Sequence, residues 1–180
     1  MSDFRPEPSA ESCGASVPIA RVTAVDRSRY LLRDESGEIP AQLTGRYRRD
    51  LAGTAQAPCV GDWACIRPLD GHSHAIIERL LPRRSFLRRK VAGQDVEFQM
   101  IAANIDVALV VQACHFDFNV RRLERYLVMV REGHIRPVVL LTKSDLVERS
   151  VLEEMITELR RAGIDVPVIP VSNLTGEGID

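Results

Sequence analysis

Near residue 100 the hydrophobic pattern of this chain changes its period, and that change decides which folds are open to it. Upstream, apolar residues come in short runs with turn residues between them. Residues 19–25 are followed by Asp26 and Ser28, 30–33 by Asp34-Glu35-Ser36-Gly37, and 39–43 by Gly45. Residues 63–67 stop at Pro68, and 75–81 lie between an Asp70-Gly71 turn and Pro82. Five short strands with no helical period among them predict a small closed antiparallel barrel, for which the OB-fold is the common five-stranded solution. Trp63 lies within the fourth run and is expected in the core.

Downstream, residues 105–113 form a continuous apolar run, suited to a strand buried on both faces. Asn119 can cap a helix whose stripe is Leu123, Leu127 and Val130, closed by Gly133. Residues 138–141 read as a second buried strand. Ser150 and Glu153 have the spacing of a capping box, and the helix behind them carries Leu152, Ile156 and Leu159 as far as Gly163. Residues 166–171 are a third strand. Such alternation predicts a parallel sheet with helices on its faces. The chain thus divides into a disordered tail at 1–16, an OB-fold domain at 17–82, a basic joint at 83–103 loosened by Gly93, and an α/β region at 104–180.

The net charge of −1 conceals an asymmetry. Residues 17–90 carry fourteen basic and eight acidic groups, whereas residues 91–180 carry nine basic and fourteen acidic ones. A basic half beside an acidic half points the first half toward a polyanion. The candidates for RNA contact are Arg46, Arg48 and Arg49 in the loop after the third strand, and Arg83, Arg84, Arg88, Arg89 and Lys90 in the joint. Arginine supplies 22 of the 24 basic residues, and its planar fork suits phosphate. Tyr47, Trp63 and Phe86 are the nearby aromatics, so recognition through phosphates and shape is expected over base stacking.

Other functions find no support. No apolar run approaches the roughly 20 residues of a membrane span, and the acidic, polar N-terminus has no secretory h-region. Cys13, Cys59, Cys65 and Cys114 show no CxxC spacing and read as buried or free thiols of a reducing cytoplasm. His72 and His74, beside Gly71 and Ser73, read as a polar hairpin turn and not as metal ligands.

In parallel α/β sheets, ligands sit at the carboxyl ends of strands. The second strand of the α/β region ends in Thr142-Lys143-Ser144-Asp145, and the third in Ser172-Asn173-Leu174-Thr175-Gly176. Guanine presents two adjacent donors, N1–H and the N2 amino group. An ionised Asp145 would accept both through charge-assisted bonds of roughly 1.5–3 kcal/mol each. Adenine lacks that pair and would leave the carboxylate unpaired. Lys143 would lay its stem along the base, the Asn173 backbone N–H would meet guanine O6, and Ser172 would hold the turn.

The chain resembles the ribosome small-subunit-dependent GTPase A family, circularly permuted bacterial GTPases with an N-terminal OB domain. The likeness runs from about Ala20 to Asp180. It rests on Val60-Gly61-Asp62-Trp63, Leu81-Pro82-Arg83-Arg84-Ser85, Gln99-Met100-Ile101-Ala102-Ala103-Asn104-Ile105-Asp106, Asp117-Phe118-Asn119-Val120-Arg121-Arg122-Leu123-Glu124-Arg125-Tyr126-Leu127, Leu141-Thr142-Lys143-Ser144-Asp145-Leu146 and Val171-Ser172-Asn173-Leu174-Thr175-Gly176-Glu177-Gly178.

The resemblance implies a partial P-loop-type GTPase domain after the barrel. Thr142, Lys143 and Asp145 would form its NKxD-type motif, with Thr in place of Asn. Ser172 and Asn173 would form the second guanine loop, with Asn where Ala is usual. It further implies hydrolysis of GTP to GDP, a role in late maturation of the small (30S) subunit, that subunit and its rRNA as partners, a monomer, no membrane, and a cytoplasmic location. In the permuted order the phosphate loop, the Mg²⁺ site, the switches and a zinc-binding C-terminal domain follow the base-reading motifs. The chain has two lysines, Lys90 and Lys143, and neither stands in a GxxxxGK[ST] loop. These 180 residues are therefore expected to contain no catalytic residue or metal ligand and to be inactive alone. The alternative is a stand-alone OB-fold RNA-binding module with a degenerate nucleotide domain and no GTPase activity.

Overall fold

Strand alternation builds the first half. In the computed structural model, residues 13–14, 17–51, 54–69, 71, 73–91 and 98–179 are described. The rest of the expected N-terminal tail, His72 and Gly93 lie outside the described residues. The chain forms two compact units, Met1–Ile105 and Asp106–Asp180.

In the first unit, β1 (Ile19–Asp26), β2 (Arg29–Asp34), β3 (Gly37–Leu43), β4 (Trp63–Leu69) and β5 (His74–Leu80) close a barrel in the order β1-β2-β3-β5-β4. Alternate residues such as Ala20, Val22, Leu32, Ile39, Ile66 and Ile77 turn inward and are almost fully buried. Removing such side chains from water is the main favourable term in folding. The expectation of a wholly antiparallel barrel needs correction, because β3 and β5 pair in parallel. The reason is parity: strand direction cannot alternate all the way round a ring of five, so one seam must be parallel. Trp63 also departs from expectation. Its neighbour Ala64 faces the core, so the half-buried indole lies outside, with the Arg21 guanidinium 5.5 Å from its ring.

Between β3 and β4 lies α1 (Gly45–Asp50), a helix of 6 residues capped by the Thr44 hydroxyl, which accepts from Tyr47 N–H at 2.9 Å. Arg46, Arg48 and Arg49 are therefore on a short helix, not in a loop. Six residues are too few to show a helical period. The basic joint likewise holds a hairpin, β6 (Phe86–Lys90) against β7 (Phe98–Ala103).

Cys13 and Cys65 form a disulfide across a Cα–Cα distance of 5.7 Å, where free thiols were expected. Cys65 sits on β4 between the core-facing Ala64 and Ile66, and the chain before β1 passes close enough to bridge it. A link spanning 52 residues of sequence stabilises by about 2–4 kcal/mol. Thermal melts with and without reductant are expected to differ accordingly, and Cys13→Ser should match the reduced protein. A melting curve indifferent to both treatments would show that the pair does not form. Cys59 and Cys114 are free and buried.

In the second unit, β8 (Val107–Ala113), β9 (Arg136–Thr142) and β10 (Val168–Val171) make the expected parallel sheet, in the order β10-β9-β8. Helix α2 (Val120–Glu132) follows β8, with Asn119 as N-cap and Leu123, Leu127 and Val130 buried. Helix α3 (Arg149–Arg161) joins β9 to β10. Its N-cap is Glu148, without a side-chain cap bond, so the expected Ser150–Glu153 capping box is not formed. The first intrahelical acceptor is already Glu148 C=O, which takes Leu152 N–H at 3.1 Å, and this places Ser150 inside the first turn. Among the described residues no helix is long and apolar enough to cross a membrane.

Candidate functional site

The ends of β9 and β10 bring the two sequence motifs together. Strand β9 finishes at Thr142, whose hydroxyl donates to Gln112 C=O of β8 at 3.4 Å. Lys143 then turns the chain with φ 59° and ψ 40°, and Ser144–Leu146 follow as a 3-10 turn. Asp145 stands exposed on that turn. Its carboxylate accepts a hydrogen bond from the Ser172 hydroxyl at 2.5 Å.

Ser172 is wholly buried at the end of β10. Its oxygen also accepts from the Leu174 and Thr175 N–H groups, both at 3.2 Å. One hydroxyl thus ties the carboxylate to the turn that follows the neighbouring strand. Further bonds fold that turn back: Gly176 N–H donates to Ser172 C=O at 2.9 Å, and Ser172 N–H to Glu177 C=O at 3.0 Å. The Ser144 hydroxyl donates to Glu177 Oε2 at 2.8 Å and links the two turns a second time. Gly178 has φ +72°, and a Cβ there would lie 2.1 Å from Pro170 O, so only glycine fits.

Lys143 and Asn173 are exposed beside this link, and the Asn173 N–H has no partner among the described residues. Asp145 therefore keeps one oxygen and its outward lone pairs for a pair of donors, next to a backbone amide that can donate. Such an arrangement can meet a ligand edge that carries two adjacent donors and one acceptor. The Ser144–Glu177 bond escaped sequence reasoning. Its only signal was a serine inside one motif and a glutamate closing the other.

The basic candidates fall into three settings. Arg46, Arg48 and Arg49 are exposed on α1, with Arg46 3.6 Å from Asp50. Arg88 lies between two rings of the hairpin, 5.1 Å from Phe86 and 4.1 Å from Phe98, and Arg89 binds Gln99 Oε1 at 3.0 and 2.8 Å. Lys90 is exposed, and Arg84 is half-buried with its backbone N–H on Asn104 Oδ1.

Arg83 is built into the fold. It donates to both oxygens of buried Asp62, at 2.7 and 2.8 Å, and to the carbonyls of Ala55 and Ala57, each at 2.8 Å. Asp62 in turn accepts Cys59 N–H at 2.8 Å. Burial alone would lower the Arg83 pKa, but the hydrogen bond and charge of Asp62 outweigh it and hold it above the ordinary value. Burial first, and then the Asp62 charge, push the Cys59 thiol up to about 12, so it stays protonated and unreactive. Next to this clamp, Gly61 has φ +91°, and a Cβ there would meet Ala103 O at 2.0 Å. The Asn104 amide donates to Gly61 C=O at 2.9 Å.

A closed five-stranded barrel followed by a three-stranded parallel sheet, with the Thr142–Asp145 and Ser172–Gly176 turns tied together at adjacent strand ends, defines a class, the circularly permuted GTPases with an N-terminal OB-like barrel. Within that class the chain belongs to the RsgA GTPase family, whose model matches residues 80–180. The small ribosomal subunit biogenesis GTPase RsgA 2 of Lactiplantibacillus plantarum is 36% identical over 165 residues, covering 90% of this chain and 45% of that protein. The RsgA of Opitutus terrae is 37% identical over 172 residues, covering 89% and 45%. The chain therefore spans about half the length of the curated relatives it matches, or slightly less. Among solved structures, YjeQ from Thermotoga maritima aligns with a TM-score of 0.67 at 22% identity, over 89% of this chain and 54% of that one. YloQ, described as a circularly permuted GTPase, aligns with 0.64 at 23%, over 88% and 53%. These two likenesses concern the fold.

Proposed function

We propose that this chain is the guanine-reading and RNA-binding portion of a GTPase that hydrolyses GTP and assists late maturation of the small ribosomal subunit. Residues 17–82 are the RNA-binding barrel, 83–103 the basic joint and 104–180 the base-reading part of the GTPase domain. The observation that carries the reading is the bond from Ser172 to Asp145, which fixes a carboxylate and a donor turn at the ends of adjacent parallel strands. Thr142 anchors the first turn, Lys143 covers the base, Asp145 accepts from it, Ser172 orients Asp145, and the Asn173 amide donates to O6. The names of the curated relatives supply the small subunit as partner. Of the eight basic candidates, Arg46, Arg48, Arg49, Arg89 and Lys90 present exposed charge, and Arg83 serves to hold the barrel together.

Nothing in these 180 residues has the GxxxxGK[ST] pattern that cradles phosphates and helps to hold Mg²⁺. Base contacts alone should bind GTP in roughly the millimolar range, about −4 kcal/mol. Titration followed by amide NMR is expected to shift Asn173, Leu174 and Thr175 with GTP and with guanosine, and not with ATP. Equal shifts with ATP, or micromolar affinity by calorimetry, would contradict the assignment.

A further inference from the structure

The second unit is acidic, yet the opening of α2 is not. Arg121, Arg122 and Arg125 stand there with Glu124 as the one acidic residue in the first two turns of the helix, and the first turn contains no acidic residue. The helix dipole favours the opposite arrangement, with anions at the N-terminus. The backbone N–H groups are not what these arginines serve, since Asn119 accepts from Arg122 N–H at 3.0 Å. Arg122 is held by Asp117, at 2.8 Å from Oδ2 and 2.5 Å from the carbonyl. Arg121 and Arg125 are exposed, have no partner among the described residues, and stand one helical turn apart beside an exposed Val128.

The loop before this helix carries a second oddity. Phe116 is 97% exposed and has φ 60°, a left-handed conformation that a bulky side chain rarely adopts. The loop is pinned on both sides of it. Cys114 N–H donates to Thr142 C=O at 2.8 Å, and the Gln112 amide donates to Asp117 C=O at 2.8 Å. The centroids of the His115 and Phe116 rings lie 3.7 Å apart, with the ring planes tilted by 53°. A constrained backbone thus presents an aromatic ring to solvent, at the start of a helix with free guanidinium groups.

We infer that Phe116, Arg121 and Arg125 form an RNA-contact surface on the second unit, distinct from the basic barrel, which takes an unpaired nucleotide and its flanking phosphates. The ring stacks on the base, and the two guanidinium forks meet phosphate oxygens. The inference rests on the reading of the chain as ribosome-associated, and it adds a place where RNA is gripped through a single unstacked base.

The test titrates the 180-residue chain with small ribosomal subunits, with protein-free small-subunit rRNA and with a fully paired RNA duplex, across a salt series. Phe116→Ala should weaken binding to subunits and to free rRNA roughly tenfold, the loss of one stacked base, and leave the duplex unchanged. Arg121→Glu with Arg125→Glu should weaken binding to all three RNAs and flatten the salt slope by about 1.4, the loss of two phosphate contacts. Arg46→Glu, Arg48→Glu and Arg49→Glu together serve as the barrel variant. If that variant loses binding while the Phe116 and Arg121/Arg125 variants bind like the parent, the barrel alone holds RNA. The proposed function then stands and this inference falls. If Phe116→Ala weakens binding to intact subunits but not to free rRNA, the ring meets a protein and the RNA assignment is overturned. If the parent chain binds none of the three, both readings fail together.

Discussion

Asp145→Asn, in a chain of this sequence that continues through a GxxxxGK[ST] loop, is expected to exchange guanine for xanthine. On the proposed reading the aspartate accepts from two donors on the guanine edge, and each charge-assisted bond is worth roughly 1.5–3 kcal/mol. An asparagine presents one acceptor and one donor, so its N–H₂ would face the guanine amino group. GTP affinity should fall by about a hundredfold or more, since every 1.4 kcal/mol is a factor of ten. Xanthine has a carbonyl at C2, which can accept from that amide, so XTP should bind the variant better than GTP does. Ser172 can still donate to the asparagine oxygen, so the change alters chemistry without releasing the turn. Competition between GTP and XTP measures the exchange directly. Unchanged GTP affinity would show that Asp145 does not read the base.

The second large effect concerns the barrel. Asp62→Ala should destabilise the first unit by about 3–5 kcal/mol, the cost of leaving a buried charge without its partner. Arg83 would lose two of its four acceptors, and Cys59 N–H would lose its own. The expected fall in melting temperature exceeds about ten degrees for a unit of this size. Changing both partners to apolar residues, Asp62→Leu with Arg83→Met, should recover much of the loss, because neither charge is then stranded. A loss below about 1 kcal/mol for Asp62→Ala would place the pair with ordinary surface ion pairs.

How legible these features were depended on how far apart in sequence their partners lie. The five barrel strands announce themselves through local turn residues, and the strands and helices of the second unit through runs and stripes a few residues long. Thr142, Asp145 and Ser172 could be singled out as candidates because strand ends in a parallel sheet are where ligands bind, a rule that needs no contact map. Features held by distant partners were hidden. Arg83 looks like its neighbour Arg84 in sequence. Only the fold brings Asp62, 21 residues earlier, against its guanidinium. The β6–β7 hairpin was masked because Arg88, Arg89 and Lys90 break its apolar alternation. The direction in which Trp63 points follows from the register of Ala64, which composition does not reveal. Cys13 and Cys65 have no spacing motif, and their approach depends on where the chain enters β1.

The parallel seam of the barrel sets an order on assembly. The pairs β1–β2 and β2–β3 join neighbours in sequence and close small loops. The seam that completes the ring joins Ala41 to Ala75, and β4 must pair with both β1 and β5. A growing chain can therefore form a three-stranded meander early, with one side of Leu32 and Ile39 uncovered, but it cannot seal the barrel until Leu80 has been synthesised. Nonlocal closure of this kind is entropically costly and slow. The interval between the meander and the seal is when the nascent protein is most open to mispairing at its two free strand edges.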